Sequence, residues 1–217
     1  MASRYDTAPE HTPVVPVYLV LDWSEHMGLV IDRINTLVTG VLDHFRHDPV
    51  LCNRVRMTII YFNDEAVDDL NWGDMAVEWP EVPIRARGPK SYQEAVWKVV
   101  EELARHTDRT ADHGVAVMDP LVFVVTSDAP DQGPDWSDAL DWFGTQVVWN
   151  PLVECFVHTT GAGPATVCQL QRWASRGRVH TYDDPDAFVQ AVSGSVTASA
   201  SASVEAGATV LVPPGAR

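Results

Sequence analysis

Hydrophobic residues follow two rhythms along this chain, and the rhythms alternate. Val14 to Leu21 is apolar almost throughout, broken only by Pro16, and stops at Asp22. A run with no polar face predicts a central parallel strand covered by helices on both sides. Met27, Val30, Ile31, Ile34, Leu37, Val38, Val41, Leu42 and Phe45 then recur at helical spacing, until Asp48-Pro49 stops them. Val55 to Phe62 predicts a second strand, Asn63-Asp64-Glu65 a turn, and Ala66 to Leu70 an antiparallel edge strand. Residues 71–90 hold Trp72, Trp79, Pro80, Pro83, Gly88 and Pro89 and read as a long loop.

Ser91 opens another helix, with Tyr92, Ala95, Val96, Val99 and Leu103 as its apolar stripe and Glu94/Lys98 and Glu101/Arg105 as pairs on its wet side. Leu121 to Val125 is the strongest buried-strand signal and ends in Thr126-Ser127-Asp128. A helix from about Asp135 to Gln146, a strand at Leu152 to Val157, a helix from about Ala165 to Ser175 and a strand at Arg178 to Tyr182 follow. The last helix starts at Asp184-Pro185, a capping residue followed by proline, and turns Phe188, Val189, Val192 and Val196 inward. Thr197 to Ser203 alternates Ser or Thr with Ala, which fits a fraying helix end or the start of a linker. The apolar end, Thr209-Val-Leu-Val before Pro213-Pro214, fits a disordered tail or a short strand docked on this chain or a partner.

The order β-α-β-β-α-β-α-β-α-β-α predicts a doubly wound α/β fold. It has a mostly parallel six-stranded sheet, one antiparallel edge strand and helices on both faces. Residues 1–13 read as a flexible lead, 14–203 as one domain and 204–217 as a tail.

Charge narrows the partners. Fifteen Lys and Arg against thirty Asp and Glu give a net charge of −15, which repels nucleic acid and anionic membranes and favours metal ions or basic protein surfaces. Three cysteines, Cys52, Cys155 and Cys168, form no CxxC pair and no zinc spacing, so a reduced, cytoplasmic setting is expected. No leader pattern and no apolar run of spanning length is present, so no membrane association is expected.

In open α/β sheets ligands bind beyond the carboxyl ends of the strands, at the switch point in strand order. The segments leaving those ends are Asp22-Trp23-Ser24-Glu25-His26, Gly88-Pro89-Lys90-Ser91 and Thr126-Ser127-Asp128-Ala129-Pro130-Asp131. They are rich in hydroxyls and carboxylates, the oxygen ligands that hard divalent cations prefer.

These segments resemble the metal-ion-dependent adhesion site of von Willebrand factor A domains, and are most similar to the bacterial tellurite-resistance TerY-like group. The resemblance rests on Val17-Tyr18-Leu19-Val20-Leu21-Asp22-Trp23-Ser24, Ile60-Tyr61-Phe62-Asn63-Asp64-Glu65-Ala66, Pro120-Leu121-Val122-Phe123-Val124-Val125-Thr126 and Val192-Ser193-Gly194-Ser195-Val196-Thr197-Ala198-Ser199, in order over residues 14 to 203. It implies a non-enzymatic adaptor that binds a protein partner: a co-encoded kinase, phosphatase or conflict-system component of a bacterial stress response. It also implies Mg²⁺ as the candidate cofactor, with Asp22, Ser24, Ser91 and Asp128 as ligands.

The match is incomplete. His26 stands where the pattern has a second Ser, Ser91 where it has Thr, Lys90 where it has Gly, and Ser127 where it has Asp, with Asp128 one residue late. A Lys ammonium there can stand in for the metal's charge. With a degenerate site, partner contacts are expected at Trp23, His26, Lys90, Trp72 and Trp79, large or charged side chains near the site or in the long loop. Local roles compete: Ser91-Tyr92-Gln93-Glu94 is a capping box by itself, and Asp22 has Lys90 or His26 as candidate ion partners. Two other functions stay open. One is a phosphohydrolase or phosphotransferase using Asp22 as nucleophile, which would need a positioned acid or base; the other is a purely structural subunit.

Overall fold

The computed structural model describes residues 13–73, 85–113, 116–129, 135–146, 150–159, 165–212 and 214–215, with backbone only for 68–73 and 109–113. Six strands form one sheet: β1 (Val15–Asp22), β2 (Val55–Phe62), β3 (Ala66–Gly73), β4 (Leu121–Ser127), β5 (Leu152–His158) and β6 (Val179–Tyr182). Their order is β3-β2-β1-β4-β5-β6; all neighbours are parallel except β3, which returns antiparallel along β2. The expected α/β architecture is the observed one.

Alternation explains the layers. Val15, Val17, Leu19 and Leu21 of β1 join Leu121, Phe123 and Val125 of β4 on one face, where α1 (Ile31–His47) and α6 (Pro185–Ala206) close the core. Tyr18 and Val20, with Val122 and Val124, enter the opposite core under α3 (Tyr92–His113), α4 (Ser137–Gln146) and α5 (Ala165–Trp173). Each central strand is apolar on both sides because each side is covered. A four-residue helix, α2 (Leu51–Arg54), separates α1 from β2 and was not foreseen; Asp48 Oδ1 accepts from the Val50 and Leu51 N–H groups at its start.

Two elements run longer than the sequence suggests. β3 continues past Leu70 to Gly73, so Trp72 lies in a strand and not in a loop. α6 continues through the Ser/Ala stretch to Ala206 and ends at Gly207, whose φ of 64° is left-handed. Thr197 to Ser203 is thus neither frayed nor linker. The chain then doubles back and docks: Ser203 Oγ accepts from Val210 N at 2.8 Å, Ser199 Oγ accepts from Val212 N at 2.9 Å, and Arg178 Nη1 donates to the Leu211 carbonyl. Among the described residues no helix is long and apolar enough to cross a membrane.

Candidate functional site

The carboxyl ends of β1, β2, β4 and β5 come level along one edge of the sheet, with Asp22 opposite Phe62 and Ser127 opposite His158. The chain leaves β1 for β2 on one side and reaches β4 on the other only after α3, so this edge holds the switch in strand order. The segment 85–91 is strapped across it. Trp23 N donates to the Phe62 carbonyl, Arg87 N to the Trp23 carbonyl, Glu25 N to the Gly88 carbonyl and Ser91 N to the Asn63 carbonyl, at 2.7–3.0 Å. Asn63 is the clasp: its Nδ2 donates to the Arg87 carbonyl and its Oδ1 accepts from Glu65 N. Gly88 sits at φ +69°, and a Cβ there would stand 3.0 Å from Asp64 Oδ1, so this turn requires glycine.

This strap delivers Lys90 to Asp22 and ties Ser91 to the end of β2. Asp22 is 1% exposed. Its Oδ1 accepts from Ser24 N at 2.8 Å, and its Oδ2 accepts from Thr126 Oγ1 at 2.7 Å and from Ser127 N at 3.4 Å. Thr126 has one hydroxyl proton and gives it to Asp22, so Tyr92 Oη, 3.0 Å away, donates to Thr126. The Lys90 side chain is wholly enclosed. Its Nζ lies 2.9 Å from the Ser127 carbonyl, 3.3 Å from Ser127 Oγ and 3.7 Å from Asp22 Oδ2, and it stands over the Tyr92 ring. A buried ammonium survives only with such compensation.

The expected site residues thus divide. Asp22, Ser24, Lys90 and Ser91 do come to one edge. Lys90, expected at a partner surface or as the ion partner of Asp22, takes the second place: it faces inward to Asp22 and is closed to any partner in this conformation. Ser24 Oγ and Ser91 Oγ are buried with no protein hydrogen-bond partner, as is His26 Nε2. The Ser91 capping box does not form, because the Ser91 N–H goes to Asn63 and its hydroxyl has no protein partner. Asp128 is buried one step beyond the Ser127 that meets Asp22; its backbone N–H donates to the His158 carbonyl and its carbonyl accepts from Thr166. Trp23 is half-buried, stacked on Tyr61 at 5.6 Å and covered by the Arg87 guanidinium at 4.7 Å. The Trp72 side chain and Trp79 lie outside the described residues. Thr126 and Asn63 carry as much of the geometry as the residues singled out from sequence. Their signals, a hydroxyl closing β4 and an Asn closing β2, resemble any strand end.

Two unpartnered hydroxyls at the same strand ends as a carboxylate suit a hard cation. The ammonium does not: a divalent ion at Asp22 would lie against the buried positive charge of Lys90. With Lys90 seated, the residues present do not fit such an ion. Among the described residues no group of three or more His, Cys, Asp or Glu side chains is placed to hold a metal.

No family model matches the chain, and no curated protein sequence does. Solved structures match in fold. The pilus adhesin SpaC from Lactobacillus rhamnosus GG, in its open conformation, aligns with a TM-score of 0.66 and 12% identity, covering 90% of this chain and 30% of its own. A von Willebrand factor type A structure from Catenulispora acidiphila gives 0.59 at 12% identity, covering 85% and 42%. Proximal thread matrix protein 1 of the mussel byssus, with a zinc-occupied metal-ion-dependent adhesion motif, gives 0.53 at 12% identity, covering 94% and 48%. The chain spans less than half the length of each of these proteins. Likeness at this identity establishes the fold: the chain folds as a von Willebrand factor A domain.

Proposed function

We propose that this chain is a protein-interaction module that does not catalyse a reaction, and that it serves as an adaptor in a bacterial stress-response or conflict system of the TerY-like kind. The observation that carries the reading is the state of Asp22. Both its oxygens are engaged by the chain's own donors, and almost none of its surface reaches solvent. A carboxylate nucleophile needs a free oxygen, access to substrate and a positioned acid or base; this one is arranged to hold the ends of β1 and β4 together.

A partner meets the rim instead. Leu29, 81% exposed just past the 3-10 turn Glu25–Met27, is a large apolar side chain open to solvent, and Arg85 and Arg87 are exposed on the strap, with the Arg87 guanidinium over Trp23. An exposed apolar anchor and exposed cations suit a partner surface that offers both an apolar pocket and acidic groups. The test is co-expression with the kinase, phosphatase or other products encoded beside it. Leu29→Glu should abolish co-purification at an unchanged melting temperature. Hydrolysis of generic phosphoesters that disappears in Asp22→Ala would replace this reading with an enzyme. Association untouched by Leu29→Glu but lost on Trp72 or Trp79 substitution would move the interface from Leu29 to those tryptophans.

A further inference from the structure

A fully enclosed lysine at the mouth of a strand-edge carboxylate site needs a reason. Lysine has high side-chain entropy and a strongly hydrated head, and it is rarely buried without one. Here Lys90 Nζ meets four electron-rich groups: the Ser127 carbonyl, the Ser127 hydroxyl, the Asp22 carboxylate and the Tyr92 ring face. Oxygens and a π-face around one positive point form a cation site, and the cation is covalently part of the chain. The strap supports the same conclusion. Asn63, Trp23 and the left-handed Gly88 fix the segment so that residue 90 points into the edge.

We infer that Lys90 is a tethered cation, occupying the charge position that a divalent ion fills in the metal-bearing form of this fold, so that the site is assembled constitutively and without metal. The unpartnered hydroxyls of Ser24 and Ser91 are then the remnant of a hard-cation ligand set, still in place at the strand ends around Asp22, where Ser24 N bonds Asp22 and Ser91 N bonds the Asn63 carbonyl. Metal binding is latent, and removing the ammonium should restore it. The inference concerns the same strand edge as the interaction reading but not whether a partner binds, because it is tested on the isolated chain.

The experiment is thermal unfolding of the full chain in EDTA and in millimolar MgCl₂ or MnCl₂. Wild type should show no shift. Lys90→Ala should melt lower in EDTA and gain about 5–10 °C with saturating Mg²⁺. The gain should grow with ion concentration and vanish in Asp22→Asn/Lys90→Ala. A metal-dependent rise in wild type that Asp22→Ala removes would overturn the inference, since ion and lysine would then coexist. A folded Lys90→Ala with no response would overturn it too. If Lys90→Ala fails to fold under either condition, Asp22→Asn/Lys90→Met decides. Removing both charges at similar volume should restore folding if Lys90 answers the charge of Asp22; a double variant that stays unfolded would show that the ammonium has a different task.

Discussion

Asp22 and Ser24 stand two residues apart and carry opposite expectations. Asp22→Ala removes a carboxylate from beside the enclosed Lys90 ammonium and frees Thr126 and Ser24 N from their acceptor. Breaking a buried pair in this way costs about 3–5 kcal/mol, or about 6–20 °C in melting temperature for a domain of this size. Ser24→Ala removes a hydroxyl with no protein partner, so it should stay within about 1 kcal/mol of wild type. Urea melts of the two variants check this, and a Ser24→Ala loss as large as that of Asp22→Ala would contradict the assignment of Asp22 as the site's keystone. The sequence shows the carboxylate at the end of an apolar run, and it shows the lysine. It does not show that the lysine turns inward, because that depends on Asn63 and Gly88 holding a strap from elsewhere in the chain.

The serines of α6 make a related point one scale up. Ser195, Ser199 and Ser203 recur every fourth residue and are all buried. Hydrophobic periodicity passes over them, since Ser and Ala carry little apolar signal, and the stretch therefore reads as a fraying end. Their role appears only when the tail is in place. Ser199 and Ser203 accept from Val212 N and Val210 N, while Ser195 Oγ lies 2.8 Å from the Val212 carbonyl and 2.6 Å from Glu154 Oε2, and the other oxygen, Glu154 Oε1, lies 2.8 Å from His180 Nε2. Three hydroxyls thus act as a sheet edge toward an extended segment, and Leu211 packs against the core from it. Ser199→Ala leaves the Val212 N–H without its acceptor, a loss of about 1–3 kcal/mol to tail docking. Hydrogen exchange should quicken at Val210 and Val212 and stay unchanged in β1 and β4. Uniform quickening would mean that the tail belongs to the global folding unit. The opposite end of α6 was legible from sequence. Asp184 Oδ1 accepts from Ala187 N at 2.7 Å, and Asp184→Ala should cost about 1 kcal/mol in the same urea melts.

Over the whole molecule, legibility follows how local the cause is. The two covered faces and the antiparallel edge follow from runs such as Leu121 to Val125 and the return at Asn63-Asp64-Glu65. The polar residues that punctuate those faces are fixed by contacts between distant segments, and they make the fold sensitive to alkali. Burial, then the charge of Glu102, pushes the Tyr18 phenol well above its ordinary value, and Tyr18 is hydrogen-bonded to His106 inside the core. Burial, then Glu154, likewise raises the Cys155 thiol and, less deeply placed, the Tyr182 phenol. All three are acids that ionise more readily in the unfolded chain than in the folded one. Below their ordinary range both states hold the protons and the stability is fully present. Above it the unfolded chain has released protons that the folded chain retains, so stability falls as pH rises. The decline should begin near about pH 8.5, where an unfolded Cys ionises, and steepen near about pH 10, where Tyr does. Urea midpoints measured across that range should fall with an unchanged m-value, and Cys155→Ala should delay the onset. In the folded protein at pH 8, the exposed Cys168 should react with iodoacetamide while the buried Cys155 does not. A midpoint that stays level to pH 11, or equal alkylation of the two thiols, would mean that the core opens far more readily than its packing implies.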